Sequence, residues 1–131
     1  MALPAFSFLK IIVKDLAASE RFYCDVIGFK VVERTSAPEG EFAQEELFLS
    51  STGGEDATRL MLIRYLDRPA PPPGESWLGF VVADVAATTE AAVKAGGNEL
   101  IVAHYIPAHK VSISVVSDPE GHVIELVEVH A

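Results

Sequence analysis

Hydrophobic and polar positions along the chain write one pattern twice. Phe8 to Val13 (Phe-Leu-Lys-Ile-Ile-Val) is a short, largely β-branched run that predicts a strand. Asp15 can cap a helix whose apolar face is Leu16, Ser19, Phe22, Tyr23 and Val26, and Gly28 ends it. Phe29 to Val32 predicts the next strand. Shifted by 69 positions, the order returns. Trp77 to Val82 is again a strand, Asp84 a cap, and Val85, Thr88, Ala92 and Ala95 a helix face. Gly97 falls on the place of Gly28, and Leu100 to Val102 is again a strand. Asp15/Asp84, Leu16/Val85, Ala17/Ala86, Ala18/Ala87, Ser19/Thr88 and Gly28/Gly97 all agree at that one offset.

Further strands close each copy: Phe42 to Ser50 and Arg59 to Tyr65 in the first, Lys110 to Val116 and Val123 to Val129 in the second. The last two are joined by Asp118-Pro119-Glu120-Gly121, a turn sequence. Asp67 to Ser76 holds four prolines and a glycine and is the natural joint, because proline stiffens the chain and cannot donate to a strand ladder. The expectation is an α+β fold of two tandem βαβββ units within a single domain over 1–131: unit one at about 1–66, the joint at 67–76 and unit two at 77–131.

Composition narrows the partners. Half of the 131 residues are hydrophobic, enough for a real core. The net charge of −9 repels phosphate backbones and anionic lipid, so neither nucleic acid nor a membrane surface is expected as a partner. No apolar run approaches the roughly 18 residues of a membrane span, and no basic segment precedes a long apolar run near Met1. The single cysteine, Cys24, cannot form an internal disulfide, which fits a reduced, cytoplasmic setting.

Val13 to Leu16, Phe22 to Phe29, Ala95 to Gly97 and Asp118 to Glu128 together resemble the vicinal oxygen chelate superfamily of glyoxalases, bleomycin-resistance proteins and extradiol dioxygenases. The resemblance implies a curved mixed sheet around a cavity with helices on the outside. Metal-dependent members of that family hold a divalent ion with four side chains, taken from the first and fourth strands of each unit. Carried over to this chain, those positions are Phe8, a residue near Leu62, Trp77 and Glu125. Only Glu125 can ligate a hard or borderline cation. No metal and no cofactor is therefore expected.

Glu125 lies in an apolar strand between Ile124 and Leu126, where an ionised carboxylate needs a partner, a ligand or water. It reads as a ligand-contacting carboxylate, a general base, or half of an ion pair. Alternation along the strands places Lys10 on the face of Phe8, and Arg64 on that of Leu62, so either cation is available to neutralise Glu125. Lys10 also suits the anionic end of a substrate, as the resemblance implies. Phe8 and Trp77 form an aromatic clamp or plug the vacated metal space. His104 and His109 sit between the sixth and seventh predicted strands, His122 follows the turn, and His130 is at the fraying end.

The reading that follows is a metal-independent, bleomycin-resistance-like protein that binds a small molecule through Phe8, Lys10, Leu62, Arg64, Trp77 and Glu125. The alternative is a glyoxalase- or dioxygenase-like lyase, isomerase or oxygenase with a moved site that recruits Glu45, Glu46, His104 or His109. A homodimer is expected, because resembling proteins pair about a two-fold axis.

Overall fold

The computed structural model describes residues 3–54 and 58–131. It divides into two compact units, Met1–Pro71 and Pro72–Ala131, with the boundary inside the proline-rich stretch.

In unit one, β1 (Phe8–Ile12) leads through Asp15 into α1 (Leu16–Phe22), followed by β2 (Lys30–Ala37), β3 (Gln44–Ser50) and β4 (Arg59–Tyr65). The sheet order is β1-β4-β3-β2, with β1 parallel to β4 and the other pairs antiparallel. Asp15 accepts a 3.0 Å hydrogen bond from Ala18 N–H, satisfying one of the free donors of the first turn. The helix does not run unbroken to Val26 as the periodicity predicts. It widens into a π-helical turn over Tyr23–Ile27, closed by Gly28 at φ 92°. The consecutive Phe22 and Tyr23 are both buried there, with ring centroids 5.2 Å apart in an edge-to-face pair.

Unit two repeats the plan with β5 (Trp77–Val81), α2 (Val85–Lys94), β6 (Asn98–Ile106), β7 (Val111–Ser117) and β8 (Val123–Val129) in the order β5-β8-β7-β6. Asp84 caps α2 through Ala87 N–H at the same 3.0 Å. Glu128 adds a second acceptor at this terminus, 2.9 Å from Val85 N–H.

In both units one face of the sheet packs on the helix. In unit one Arg34 of β2 reaches Glu20 of α1 at 2.6 and 2.7 Å, and its strand register runs through Leu47 to Leu62. Leu47, Leu49 and Leu62 have no exposed surface. Each such burial contributes on the order of 1.5–3 kcal/mol. In unit two Thr89 of α2 meets Ser114 of β7 at 2.7 Å, and Ile124 and Leu126 lie fully buried on that side.

Both edge strands exceed the predicted lengths. Phe29 to Val32 becomes Lys30–Ala37, and Leu100 to Val102 becomes Asn98–Ile106. Both carry β-bulge irregularities. Unpaired outer edges lack the alternation that marks a half-buried strand, so their ends are silent in the sequence.

Candidate functional site

The face turned away from the helix carries the candidate chemistry, and strand pairing fixes which residues belong to it. In unit one Lys10 stands beside Met61, and Met61 beside Phe48. In unit two Gly79 stands beside Glu125, and Glu125 beside Val115. The two rows are equivalent: each joins the third residue of a first strand to the third residue of its parallel neighbour. The counterpart of Glu125 in unit one is thus Met61, not Leu62. Leu62 points at the helix and is fully buried, so the placement expected for it is corrected by one residue. The slip arises because β4 is covered on both faces, with Leu60, Met61, Leu62 and Ile63 all at 4% exposure or less, and shows no alternation to read.

Arg64 moves with Leu62 to the helix side. It donates to Glu45 at 2.6 and 3.3 Å, and this bond holds the Glu45 carboxyl below its usual range. Arg64 lines a surface hollow of about 660 Å³ with Lys14 and Arg68, whose guanidinium lies 4.8 Å from the Phe42 ring centroid and 5.2 Å from that of Tyr65. Lys10 stays on the far face but is engaged within its own unit. Its Nζ donates to Gln44 Oε1 at 2.9 Å and to Glu46 Oε2 at 3.0 Å. Both expected cations are thus engaged by carboxylates of their own unit.

Glu125 is half-buried, and among the described residues none gives it a hydrogen bond or an ion pair. Its surroundings on the far face are apolar: Val123 and Val127 along its own strand, Val115 on one side and Gly79 on the other. A side chain built at Gly79 would meet nothing within 4 Å, so the space beside the carboxylate is open. Trp77, at 56% exposure, and Val81, at 73%, flank Gly79 on the same face of β5. Glu125 lines neither the hollows along Lys14 and Arg64 nor the 400 Å³ groove between α2 and β6. Gly79 is the residue that sequence reasoning missed. Its one signal is a glycine inside the strand Trp-Leu-Gly-Phe-Val, where a side chain would ordinarily help the sheet.

The four positions at which the resemblance implies metal ligands thus hold Phe8, Met61, Trp77 and Glu125. A phenyl ring, a thioether, an indole and one carboxylate do not fit a nickel, zinc, iron or manganese ion, which takes imidazole, thiolate or carboxylate donors. The two glutamates of the alternative set do not converge within unit one. Glu45 and Glu46 are consecutive in β3 and point to opposite faces, one bonded to Arg64 and the other to Lys10. Among the described residues no group of three or more His, Cys, Asp or Glu comes together as a metal would require.

The histidines are corrected in part. His104 lies within β6, not after it, and its Nδ1 is 2.9 Å from Val102 O. His109 is in the exposed turn before β7. His130 is not loose: its backbone N–H donates to Lys110 O at 2.9 Å, and its ring meets Ser112 Oγ at 2.8 Å and packs edge-on against Tyr105. Burial, with Glu20 and Asp25 nearby, pushes the Cys24 thiol up, which disfavours the reactive thiolate. No helix among the described residues is long and apolar enough to cross a membrane.

Comparison with known proteins agrees with this fold. The profile of the Glyoxalase/Bleomycin resistance protein/Dioxygenase superfamily matches residues 5–126. The chain is 30% identical to a lactoylglutathione lyase of Haemophilus influenzae over 118 residues, covering 88% of this chain and 86% of that protein. A glyoxalase family protein from Bacillus cereus shares the fold with a TM-score of 0.81 at 20% identity, over 98% of this chain and 95% of that one. A glyoxalase I variant from Zea mays matches with a TM-score of 0.77 at 21% identity over 93% of this chain, which spans 46% of the maize chain's length.

Proposed function

Because the chain belongs to the Glyoxalase/Bleomycin resistance protein/Dioxygenase superfamily, we propose that it is a small-molecule binding protein working without a resident divalent ion, as bleomycin-resistance-like proteins sequester a drug. One observation carries this reading: Glu125 is a carboxylate unpaired among the described residues, beside open space at Gly79 on an apolar sheet face, while its three partner positions offer no ligating group. Such a surface, mostly apolar with one placed polar group, suits a ligand that brings its own hydrogen-bond donor. Trp77 and Glu125 supply the ligand contacts in unit two. Phe8 and Lys10 supply those of unit one, the lysine acting through the face it shares with Gln44 and Glu46.

The similarity to a lactoylglutathione lyase favours a second reading, catalysis on a related thioester. Turnover of lactoylglutathione by purified protein, with and without added nickel or zinc, separates the two. The binding reading predicts rates equal to those of the Glu125→Gln variant under both conditions. Metal-stimulated turnover that Glu125→Gln abolishes would replace it with the lyase.

The two units act together as one domain, and two chains associate as a homodimer. Support comes from the apolar surface left on unit two, where Leu100, Val102 and Tyr105 of β6 are each more than half exposed. Light scattering at micromolar concentration should give twice the chain mass, and a monomeric mass would contradict the dimer. A reduced Cys24 fits a cytoplasmic protein.

A further inference from the structure

This inference rests on the reading above that the far face of unit two takes a ligand, and it identifies the chemistry of that ligand. We propose that the occupant is a small aromatic ammonium or amidinium, its cation held by Glu125 and its ring lying over Gly79 against Trp77.

The internal repeat makes the case. Lys10 of unit one and Gly79 of unit two hold the same place, beside Met61 and Glu125 respectively. Unit one supplies a cation on its far face and satisfies it with Gln44 and Glu46 at 2.9 and 3.0 Å. Unit two has no side chain at that place and carries a carboxylate next to it without a partner among the described residues. The protein fills the cationic place in one copy and leaves it open in the other.

Nothing in the backbone demands glycine at position 79. It lies in β5, outside the positive-φ region, and an added side chain would touch nothing within 4 Å. What the missing side chain provides is a flat patch next to Glu125. The half-exposed Trp77 indole borders that patch, two residues earlier on the same face, and offers a π surface to a cation or a ring. Val81, Val115 and Val127 offer no hydrogen-bond donor, so Glu125 takes its donor from water or from a ligand that displaces it. The net charge of −9 favours the approach of a cation and opposes that of an anion.

Trp77 is the only tryptophan in the chain, so its emission reports on this face directly. The test is a titration of the full chain with benzamidine, neutral benzamide and anionic benzoate, followed by Trp77 fluorescence. It is repeated in Glu125→Gln and Gly79→Val, whose melting temperatures should stay at the wild-type value. Charge-assisted hydrogen bonding predicts that benzamidine saturates at a concentration about tenfold or more below benzamide, and that benzoate gives no response. Glu125→Gln should remove the preference of benzamidine over benzamide, and Gly79→Val should weaken both about tenfold. Equal binding of benzamide and benzamidine, still weakened by Gly79→Val, would overturn the cationic ligand while leaving the face as a binding site. No response to any of the three compounds would overturn both.

Discussion

Gly97→Ala should destabilise the protein by about 3 kcal/mol, lowering its melting temperature by roughly 10 °C. A side-chain carbon at this position would lie 2.2 Å from Ser117 O and 3.0 Å from Ala92 O. Both atoms are backbone, and neither can yield cheaply. Ser117 ends β7 and is paired on both sides, with Asn98 and Val123, and Ala92 is a buried residue of α2 whose carbonyl accepts from Gly97 N–H at 2.9 Å. The substitution must separate helix from sheet or break that bond. Gly28 is the instructive control. It sits at φ 92° with nothing within 4 Å of an added carbon, so Gly28→Ala should cost only the left-handed backbone penalty, about 1–2 kcal/mol. Thermal unfolding of the two variants side by side checks the difference, and a Gly97→Ala melting point at the wild-type value would refute the close approach.

Asp118→Ala should have an effect of similar size, about 3 kcal/mol, because it strips at least three donors of one acceptor group. Asp118 is 1% exposed. Its Oδ1 accepts from Glu120 N–H and His122 N–H, both at 2.9 Å, and its Oδ2 accepts from His122 Nδ1 at 2.8 Å. These bonds shape the Asp-Pro-Glu-Gly turn and deliver β8 to β7 in the register that puts Glu125 on the far face. Alanine leaves two backbone N–H groups and a ring N–H without their acceptor. Asp118→Asn should lie between wild type and alanine, since the amide keeps one oxygen but sets an NH₂ group against another donor. Denaturant unfolding of the three proteins measures the order, and equal midpoints for wild type and alanine would show that the turn holds without the carboxylate.

These two sites show where sequence reading stops. The offset that pairs Gly28 with Gly97 is real, yet the two glycines are needed for different reasons. Gly28 ends a helix in the left-handed region, a duty that falls on Gly96, at φ 99°, in unit two. Gly97 is required by a neighbour brought near in space, which no local pattern announces. The cap residues Asp15 and Asp84, by contrast, act within three residues of themselves and were readable in full. So were the bounds of β4 and β8, whose flanking turns are explicit.

The candidate site divides in the same way. Alternation from Phe8 puts Lys10 on the same face of β1, and the resemblance, not alternation, picks out Glu125, which the register sets at the place matching Met61. Leu-Met-Leu-Ile in β4 offered no alternation, and a slip of one residue exchanged Met61 for Leu62 and sent Arg64 to the wrong side. Gly79 was passed over because its contribution is the volume it leaves empty.

Phe8, Met61 and Trp77 offer a divalent ion no hard or borderline donor, and Glu125 alone does not hold one. Elemental analysis of the purified protein, equilibrated with nickel, zinc, iron and manganese and then freed of unbound metal, tests this directly. The predicted content is far below one ion per chain and the same in Glu125→Gln; about one tightly held ion per chain, lost in that variant, would contradict it.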